Sequence, residues 1–109
     1  MADRRHVRVA EALAHMAGEY FAREKPRDSL VTVTHAELSD DFKNVLVFLS
    51  ILPQTEEQSA LKFAKRARSD FREYIKNHSR FSPIPTVDFE IDFGEKNRQR
   101  VDELTRKNK

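Results

Sequence analysis

The segment from Ala60 to Lys76, ALKFAKRARSDFREYIK, has the periodicity of an amphipathic helix with two opposed faces. At about 100° per residue its apolar side chains fall on one side of the helical wheel. The opposite side carries the cations Lys62, Lys65, Arg66, Arg72 and Lys76, with Arg68 at its edge. A helix that buries one face and presents cations on the other suits a polyanion such as RNA. A solvated surface helix rich in lysine and arginine has the same pattern, so both interpretations stay open here.

The size and composition of the chain limit what it can be. Its 109 residues suffice for one domain with a modest core, which we assign to residues 1–105, with a frayed tail over 106–109. Cysteine is absent, which excludes disulfides, thiolate nucleophiles and thiolate metal ligands. The longest apolar run is too short to cross a bilayer, and the N-terminus lacks the apolar core of a signal peptide. We therefore expect a soluble, cytoplasmic protein without a membrane partner.

Hydrophobic periodicity predicts the order helix, strand, strand, long helix, strand and short helix. The first two strands should form an antiparallel hairpin across the turn Ser39-Asp40-Asp41. Three strands bury one face poorly alone, so both long helices should pack on the same side of the sheet. The predicted ranges are 3–24, 30–38, 42–52, 55–78, 86–93 and 95–109.

Local sequence features refine these elements. Asp3 is a suitable N-cap for the first helix, and Gly18 suggests close approach of a neighbouring element. Thr55 and Gln58 have the spacing of a capping box. Alternation in the last strand predicts one inward and one outward set of side chains. The inward set is Val87, Phe89, Ile91 and Phe93, and the outward set is Asp88, Glu90 and Asp92.

The sequence offers little support for catalysis or for a metal. No two of its four histidines have the i, i+4 spacing of a helical metal site. A solvated strand face explains the outward carboxylates better than a Mg²⁺ site does. The residues His35, Ser39 and Asp40 resemble a hydrolase set, but a hairpin turn accounts for their spacing. We therefore predict no enzyme, no cofactor and no metal.

Most aromatic residues occupy core positions of the predicted elements. Phe81 is different, because it lies beside Arg80 in a predicted loop. Stacking on an RNA base and capping of the core are equally compatible with that position.

Six segments of the sequence carry a resemblance to a known family. They are Arg8-Val9-Ala10-Glu11-Ala12-Leu13, Leu30-Val31-Thr32-Val33-Thr34, Glu37-Leu38-Ser39, Val45-Leu46-Val47-Phe48-Leu49-Ser50, Pro85 with Val87-Asp88-Phe89, and Arg100-Val101-Asp102-Glu103-Leu104. In this order and spacing they resemble the ribosome-binding factor A family over nearly the whole chain.

The resemblance implies a fold. It is a single α+β domain of the KH-like type II class, with a three-stranded sheet and two long helices on one face, in the order α-β-β-α(kinked)-β-(α). In this family a helix kink, typically Ala-x-Gly, replaces the glycine-rich RNA loop of other KH domains. The matching residues here are Ala67, Arg68 and Ser69, with serine in place of glycine. Serine can bend a helix but reaches fewer backbone angles, so a shallower kink or a continuous helix remains possible.

The resemblance also implies a function. It is that of a non-catalytic factor that binds the immature small (30S) ribosomal subunit and its 16S rRNA during late maturation and rRNA processing, as a monomer, with contacts to ribosomal proteins. The expected RNA-binding residues are Lys62, Lys65, Arg66, Arg68, Arg72 and Lys76, with Arg4, Arg5 and Arg8 as a second group. Two alternatives remain: a protein–protein adaptor that uses the outward acidic face or the C-terminal helix, and a general KH-type RNA-binding module.

Overall fold

A computed structural model describes residues 4–94 as a three-stranded sheet with helices packed on one of its faces. The elements are α1 (Arg4–Arg23), β1 (Leu30–Leu38), β2 (Asn44–Leu52), a 3₁₀ turn (Gln54–Glu56), α2 (Glu57–Arg66), α3 (Arg68–His78) and β3 (Thr86–Ile91). The N-cap predicted at Asp3, the helix predicted over 95–109 and the tail over 106–109 lie outside the described residues.

The sheet has the strand order β1-β2-β3. β1 and β2 pair antiparallel, with Leu38 opposite Val45, which confirms the predicted hairpin. β3 pairs with the other edge of β2 and runs parallel to it, with Thr86 opposite Asn44. Parallel neighbours need a long crossover, and α2 and α3 provide it. The crossover therefore places the cation-rich helix pair beside β3.

A β-bulge interrupts the pairing of β1 with β2 between Val33 and His35. The extra residue shifts the alternation of β1, so that Val33 before the bulge and Ala36 after it both pack against the core. His35 instead lies opposite Phe48, and the two rings stack at 4.5 Å with an interplanar angle of 7°. His35 is thus a packing residue on the face of the sheet away from the core.

One hydrophobic cluster joins α1, α2 and α3 to the sheet. At its centre the ring of Phe89 contacts Phe21 at 5.2 Å and Phe71 at 5.7 Å between centroids. The inward assignment of Phe93 is wrong: β3 ends at Ile91, and Phe93 is 38% exposed. β2 is also shorter than predicted, because Phe42 belongs to the turn and has a positive φ of 62°.

The predicted capping box does not form. A 3₁₀ turn precedes α2, and neither of these two helical segments has a side-chain hydrogen bond at its N-cap. Instead the Ser59 hydroxyl donates to the carbonyl oxygen of Glu56 at 3.2 Å and to its carboxylate at 2.9 Å. The 3₁₀ turn moves the start of the α-helix to Glu57, so Thr55 no longer stands at the N-cap.

Gly18 does not mark a close approach, contrary to the sequence-based expectation. A Cβ atom built on Gly18 meets no heavy atom within 4 Å, although the residue lies in the interior of α1. The position is therefore an ordinary helical site that lacks a side chain.

Gly18→Ala is expected to raise the free energy of unfolding by about 0.5–1 kcal/mol. Alanine has the higher helix propensity and restricts the unfolded chain more, and no clash offsets these gains. Urea denaturation followed by circular dichroism measures the change. Ala14→Gly, one turn earlier in α1, is the matched control and should lower stability by a similar amount. A loss of stability in Gly18→Ala would contradict the open space around this position.

Candidate RNA-binding surface

The cation-rich segment is divided into two helices at Ala67. This residue has φ −88° and ψ 4°, away from helical values, while α2 ends at Arg66 and α3 begins at Arg68. The Ala67 amide donates to the carbonyl oxygens of both Ala64 (2.9 Å) and Phe63 (3.1 Å), which tightens the last turn of α2. The Ala67 carbonyl in turn accepts from the Phe71 amide at 2.8 Å, so the chain re-enters a helix at once.

The break does not depend on glycine at position 69. The backbone angles of Ala67 lie in the bridge region, which L-residues can adopt. Ser69 belongs to the first turn of α3, and Phe42 is the single described non-glycine residue with positive φ. Serine is therefore compatible with the observed interruption, and a continuous helix through this segment is not what the structure shows.

Polar contacts hold α3 in place after the break. The hydroxyl of Tyr20 in α1 donates to the Asp70 carboxylate at 2.7 Å. Burial of Tyr20, together with the hydrogen bond to Asp70 and its charge, raises the pKa of the phenol well above its ordinary value. The phenol stays protonated, so this contact links α1 to the first turn of α3.

Lys65 is not a free cation on the helix surface. Its ammonium nitrogen donates to Asp88 Oδ1 at 3.0 Å and to Glu90 Oε1 at 3.3 Å, both on β3. Burial alone would lower the pKa of Lys65, but the bonds and charges of these two carboxylates outweigh it and raise that pKa. The outward carboxylates of β3 are therefore paired with α2, while their side chains stay 43% and 46% exposed to solvent.

Arg68 joins the same cluster. Its Nη1 lies 3.3 Å from Asp88 Oδ1, and its Nε donates to the carbonyl oxygen of Lys65 at 2.8 Å. The pKa of Asp88, which burial would raise, falls below its usual value because Lys65 and the Phe89 amide donate to it and Arg68 lies close. We call Lys65, Arg68, Asp88 and Glu90 the paired cluster.

Arg72 has a positioning role. Its guanidinium donates from Nε to the carbonyl oxygen of Pro85 (3.1 Å) and from Nη2 to that of Ile84 (3.0 Å). These bonds tie α3 to the connector that leads into β3. They occupy Nε–H and one N–H of Nη2, which are two of the five donors of the guanidinium.

Three cations of the predicted stripe point to solvent: Lys62, Arg66 and Lys76. We call them the free cations, because none forms a salt bridge with a carboxylate of residues 4–94 or a side-chain hydrogen bond to another element there. Arg72 also lacks a salt bridge within these residues, but it differs by its bonds to the connector. Arg66 also donates to the Lys62 carbonyl oxygen, at 3.4 Å, near the C-terminus of α2. The wheel thus describes two populations of cations, one free and one already bonded within the fold.

The arginines at the start of α1 form a separate group near the β1–β2 turn. Arg4, Arg5 and Arg8 are exposed, and the Arg5 guanidinium lies over the Phe42 ring, 5.4 Å from its centroid. His6 Nε2 lies 3.1 Å from the Ser39 carbonyl oxygen, which anchors α1 to the turn.

Lys43 is a further exposed cation in the same turn. The sequence does not single it out as a surface cation, because periodicity places it in the strand predicted over 42–52. The sequence does contain a signal that Lys43 belongs to the turn, because it stands two residues after Asp41 of the predicted turn.

The other sequence candidates have structural roles. The Ser39 hydroxyl donates to Asp41 at 2.6 Å and accepts from the Asn44 amide at 3.0 Å, so it closes the hairpin turn. Phe81 is half-buried: it packs against the core and also lines an open groove beside the hairpin turn. Across residues 4–94 no three His, Asp or Glu side chains are placed to share a metal ion, and no helix there has the length and apolarity to span a membrane.

Fold and surface together define a small KH-like α+β domain with an interrupted basic helix beside its parallel strand. The sequence model of the family described as ribosome-binding factor A matches residues 5–105, and the chain belongs to that family. It is 33% identical over 96 residues to ribosome-binding factor A of Thermodesulfovibrio yellowstonii, covering 88% of this chain and 76% of that protein.

The fold is similar to two structures of the same family. The crystal structure of ribosome-binding factor A from Thermus thermophilus superposes with a TM-score of 0.70 at 24% identity, over 79% of this chain and 94% of that one. A homology model of the Thermus thermophilus factor, fitted into a cryo-EM map of a 30S–RbfA complex, gives a TM-score of 0.63 at 26% identity. That superposition covers 73% of this chain and 87% of the other.

Proposed function

We propose that this protein is a non-catalytic assembly factor that binds the immature small ribosomal subunit through its 16S rRNA during late maturation. The observation that carries the proposal is its membership of a family in which a relative of the same fold has been fitted into a 30S complex. The free cations support a role for RNA, because exposed and unpaired charge is what phosphate groups attract.

The recognition we propose is mainly of the RNA backbone. Lys62, Arg66 and Lys76 lie on two helices whose relative position is fixed by the break at Ala67. Fixed cations at set positions recognise the shape and phosphates of a folded RNA without reading a sequence. The α1 arginines form a second group of phosphate contacts in this proposal. Lys65, Arg68 and Arg72, expected as direct contacts from the sequence, are bonded within the fold, and this proposal does not count them among the phosphate contacts.

Co-sedimentation with ribosomal particles tests the proposal. Tagged protein is centrifuged with free small subunits and with intact ribosomes, at salt concentrations from low to high. We expect co-migration with the free small subunit alone, with an affinity whose logarithm falls linearly with the logarithm of salt concentration. Each phosphate contact should contribute about 0.7–0.9 to the slope. Absence from every ribosomal fraction at low salt would overturn the proposed function.

A further inference from the structure

The end of the sheet that holds the β1–β2 turn also contains a groove of about 390 Å³. Its walls are the start of α1, the β1–β2 turn and the connector before β3, and we call it the turn-end groove. The lining side chains used here are Arg5, Asp41, Phe42, Lys43, Phe81 and Pro83. Its volume falls in the range of about 300–1,000 Å³ that is usual for small-molecule sites.

We propose that the turn-end groove binds one unpaired nucleotide of the RNA, with its base against the aromatic rings and its phosphate on the cations. The proposal rests on the proposed function, since it names the RNA element that this second surface takes. The lining of the groove does not include the free cations of α2 and α3.

The apolar part of the groove suits a base. Phe42 and Phe81 come from two different walls, and both rings are half-buried, so each keeps accessible surface. Unpaired bases stack on such rings with little regard to sequence, because every base has a π-face. Phe42 is held in its unusual left-handed conformation by a hydrogen bond from its amide to the Ser39 carbonyl oxygen at 2.9 Å. The backbone at Phe42 is therefore held by the turn, and its ring contacts the His6 ring edge-on at 5.2 Å between centroids.

The charge of the groove favours a nucleotide over an apolar peptide. Arg5 and Lys43 line it. The Arg5 guanidinium lies over the Phe42 ring, 5.4 Å from its centroid, so a base that stacks on this face displaces the guanidinium toward the phosphate. Arg4 and Arg8 are exposed on the same turn of α1 and extend the positive field. A phosphate joined to a stacked base meets these cations, whereas an apolar segment would leave them desolvated.

One carboxylate in the groove, that of Asp41, gives the site a base preference. Asp41 Oδ1 accepts from the Ser39 hydroxyl (2.6 Å) and the Lys43 amide (3.0 Å), and these bonds lower the pKa of the carboxyl. Asp41 is exposed, so its carboxylate is accessible to a ligand. An ionised carboxylate can accept from the exocyclic amino group of cytosine or adenine, but uracil has no such group. We therefore expect amino-bearing bases to bind more tightly than uracil.

Two measurements test the groove. In the first, NMR spectra of the isotope-labelled protein follow titration with the tetranucleotides r(C)₄, r(A)₄ and r(U)₄. Resonances of Phe42, Lys43 and Phe81 should shift, with r(C)₄ and r(A)₄ binding about tenfold more tightly than r(U)₄. In Asp41→Asn the difference in affinity between r(C)₄ or r(A)₄ and r(U)₄ should become smaller, because an amide oxygen is a weaker hydrogen-bond acceptor than a carboxylate. Shifts confined to other parts of the protein, or none at all, would overturn the proposal.

In the second, affinity for small subunits is measured for Phe42→Leu and Phe81→Leu. Losses of about tenfold are expected from the weaker stacking. Phe63→Leu, which changes an equally half-buried phenylalanine on α2 outside the groove, is the matched control and should bind normally. Unchanged affinity in both groove variants overturns the proposal that the turn-end groove binds a nucleotide, and it leaves the proposed function intact. If the unaltered protein does not bind subunits, the proposed function fails, and the tetranucleotide titration alone decides the groove.

Discussion

Replacing Phe71 by alanine is expected to lower the free energy of unfolding by about 3–5 kcal/mol. Phe71 has no exposed surface, and its ring contacts Tyr20 at 5.4 Å and Phe89 at 5.7 Å between centroids. These contacts join α3 to both α1 and β3. Truncation removes the transfer energy of the ring and leaves a cavity where three elements meet, and the surrounding backbone can fill it only partly.

Urea denaturation of the variant, followed by circular dichroism, gives the loss of stability. Phe93→Ala is the matched control, because the same truncation at a side chain that is 38% exposed should cost far less. The total stability of a small domain is about 5–15 kcal/mol, so Phe71→Ala could leave the chain unfolded. Phe71→Leu keeps most of the volume and should remain folded with a smaller loss. A cost below about 1 kcal/mol for Phe71→Ala would contradict its place at the centre of the core.

Local sequence patterns were sufficient for most of the fold. β1 runs from Leu30 to Leu38 as alternation predicts, and the first helix and the hairpin follow from periodicity and turn chemistry. The parallel orientation of β3 could not be predicted in this way, since alternation is the same in either direction. The bulge at Val33–His35 was equally hidden, because one extra residue in β1 becomes visible only in its pairing with β2.

Predicting the surface from sequence was less successful, for a physical reason. A helical wheel describes one element and reports which cations share a face. It cannot include Asp88 and Glu90, which are more than 20 residues away in sequence and reach Lys65 only through the crossover fold. The capping box failed similarly, because a 3₁₀ turn moved the N-cap from Thr55 to Glu56. Features that depend on contacts between elements need the tertiary structure, whereas the break at Ala67 arises within its own segment.

The second large effect is a change in affinity for small subunits, and it is expected when the free cations or the paired cluster are altered. Lys62→Gln, Arg66→Gln and Lys76→Gln together should lower affinity for small subunits by about a hundredfold or more at 0.1 M salt. The slope of log affinity against log salt should also shrink by about one for each cation that contacts a phosphate. These side chains are exposed and unpaired with described carboxylates, so the change should leave stability nearly unaltered.

Neutralising the carboxylates of the paired cluster should change the affinity for RNA in the opposite direction. Asp88→Asn with Glu90→Gln keeps the shapes of both side chains but releases Lys65 and Arg68 from their carboxylates. Affinity for RNA should therefore rise, and the salt slope should grow by about one or two. Stability should change little, since partly exposed ion pairs contribute about 0–1 kcal/mol each. Glu19→Gln with Glu24→Gln makes the same change in net charge in the last turn of α1 and just after it, and serves as the control.

These two variants also separate RNA binding from the protein-adaptor alternative. An adaptor that uses the acidic face of β3 loses its contact when Asp88 and Glu90 are neutralised, and it does not depend on Lys62, Arg66 or Lys76. Reversal of Lys65 is a poorer test, because it would break the paired cluster and disturb both kinds of contact at once. Weaker binding in Asp88→Asn/Glu90→Gln, with normal binding in the triple variant, would therefore identify a protein partner. The opposite pattern would assign the interaction to phosphate contacts of the free cations.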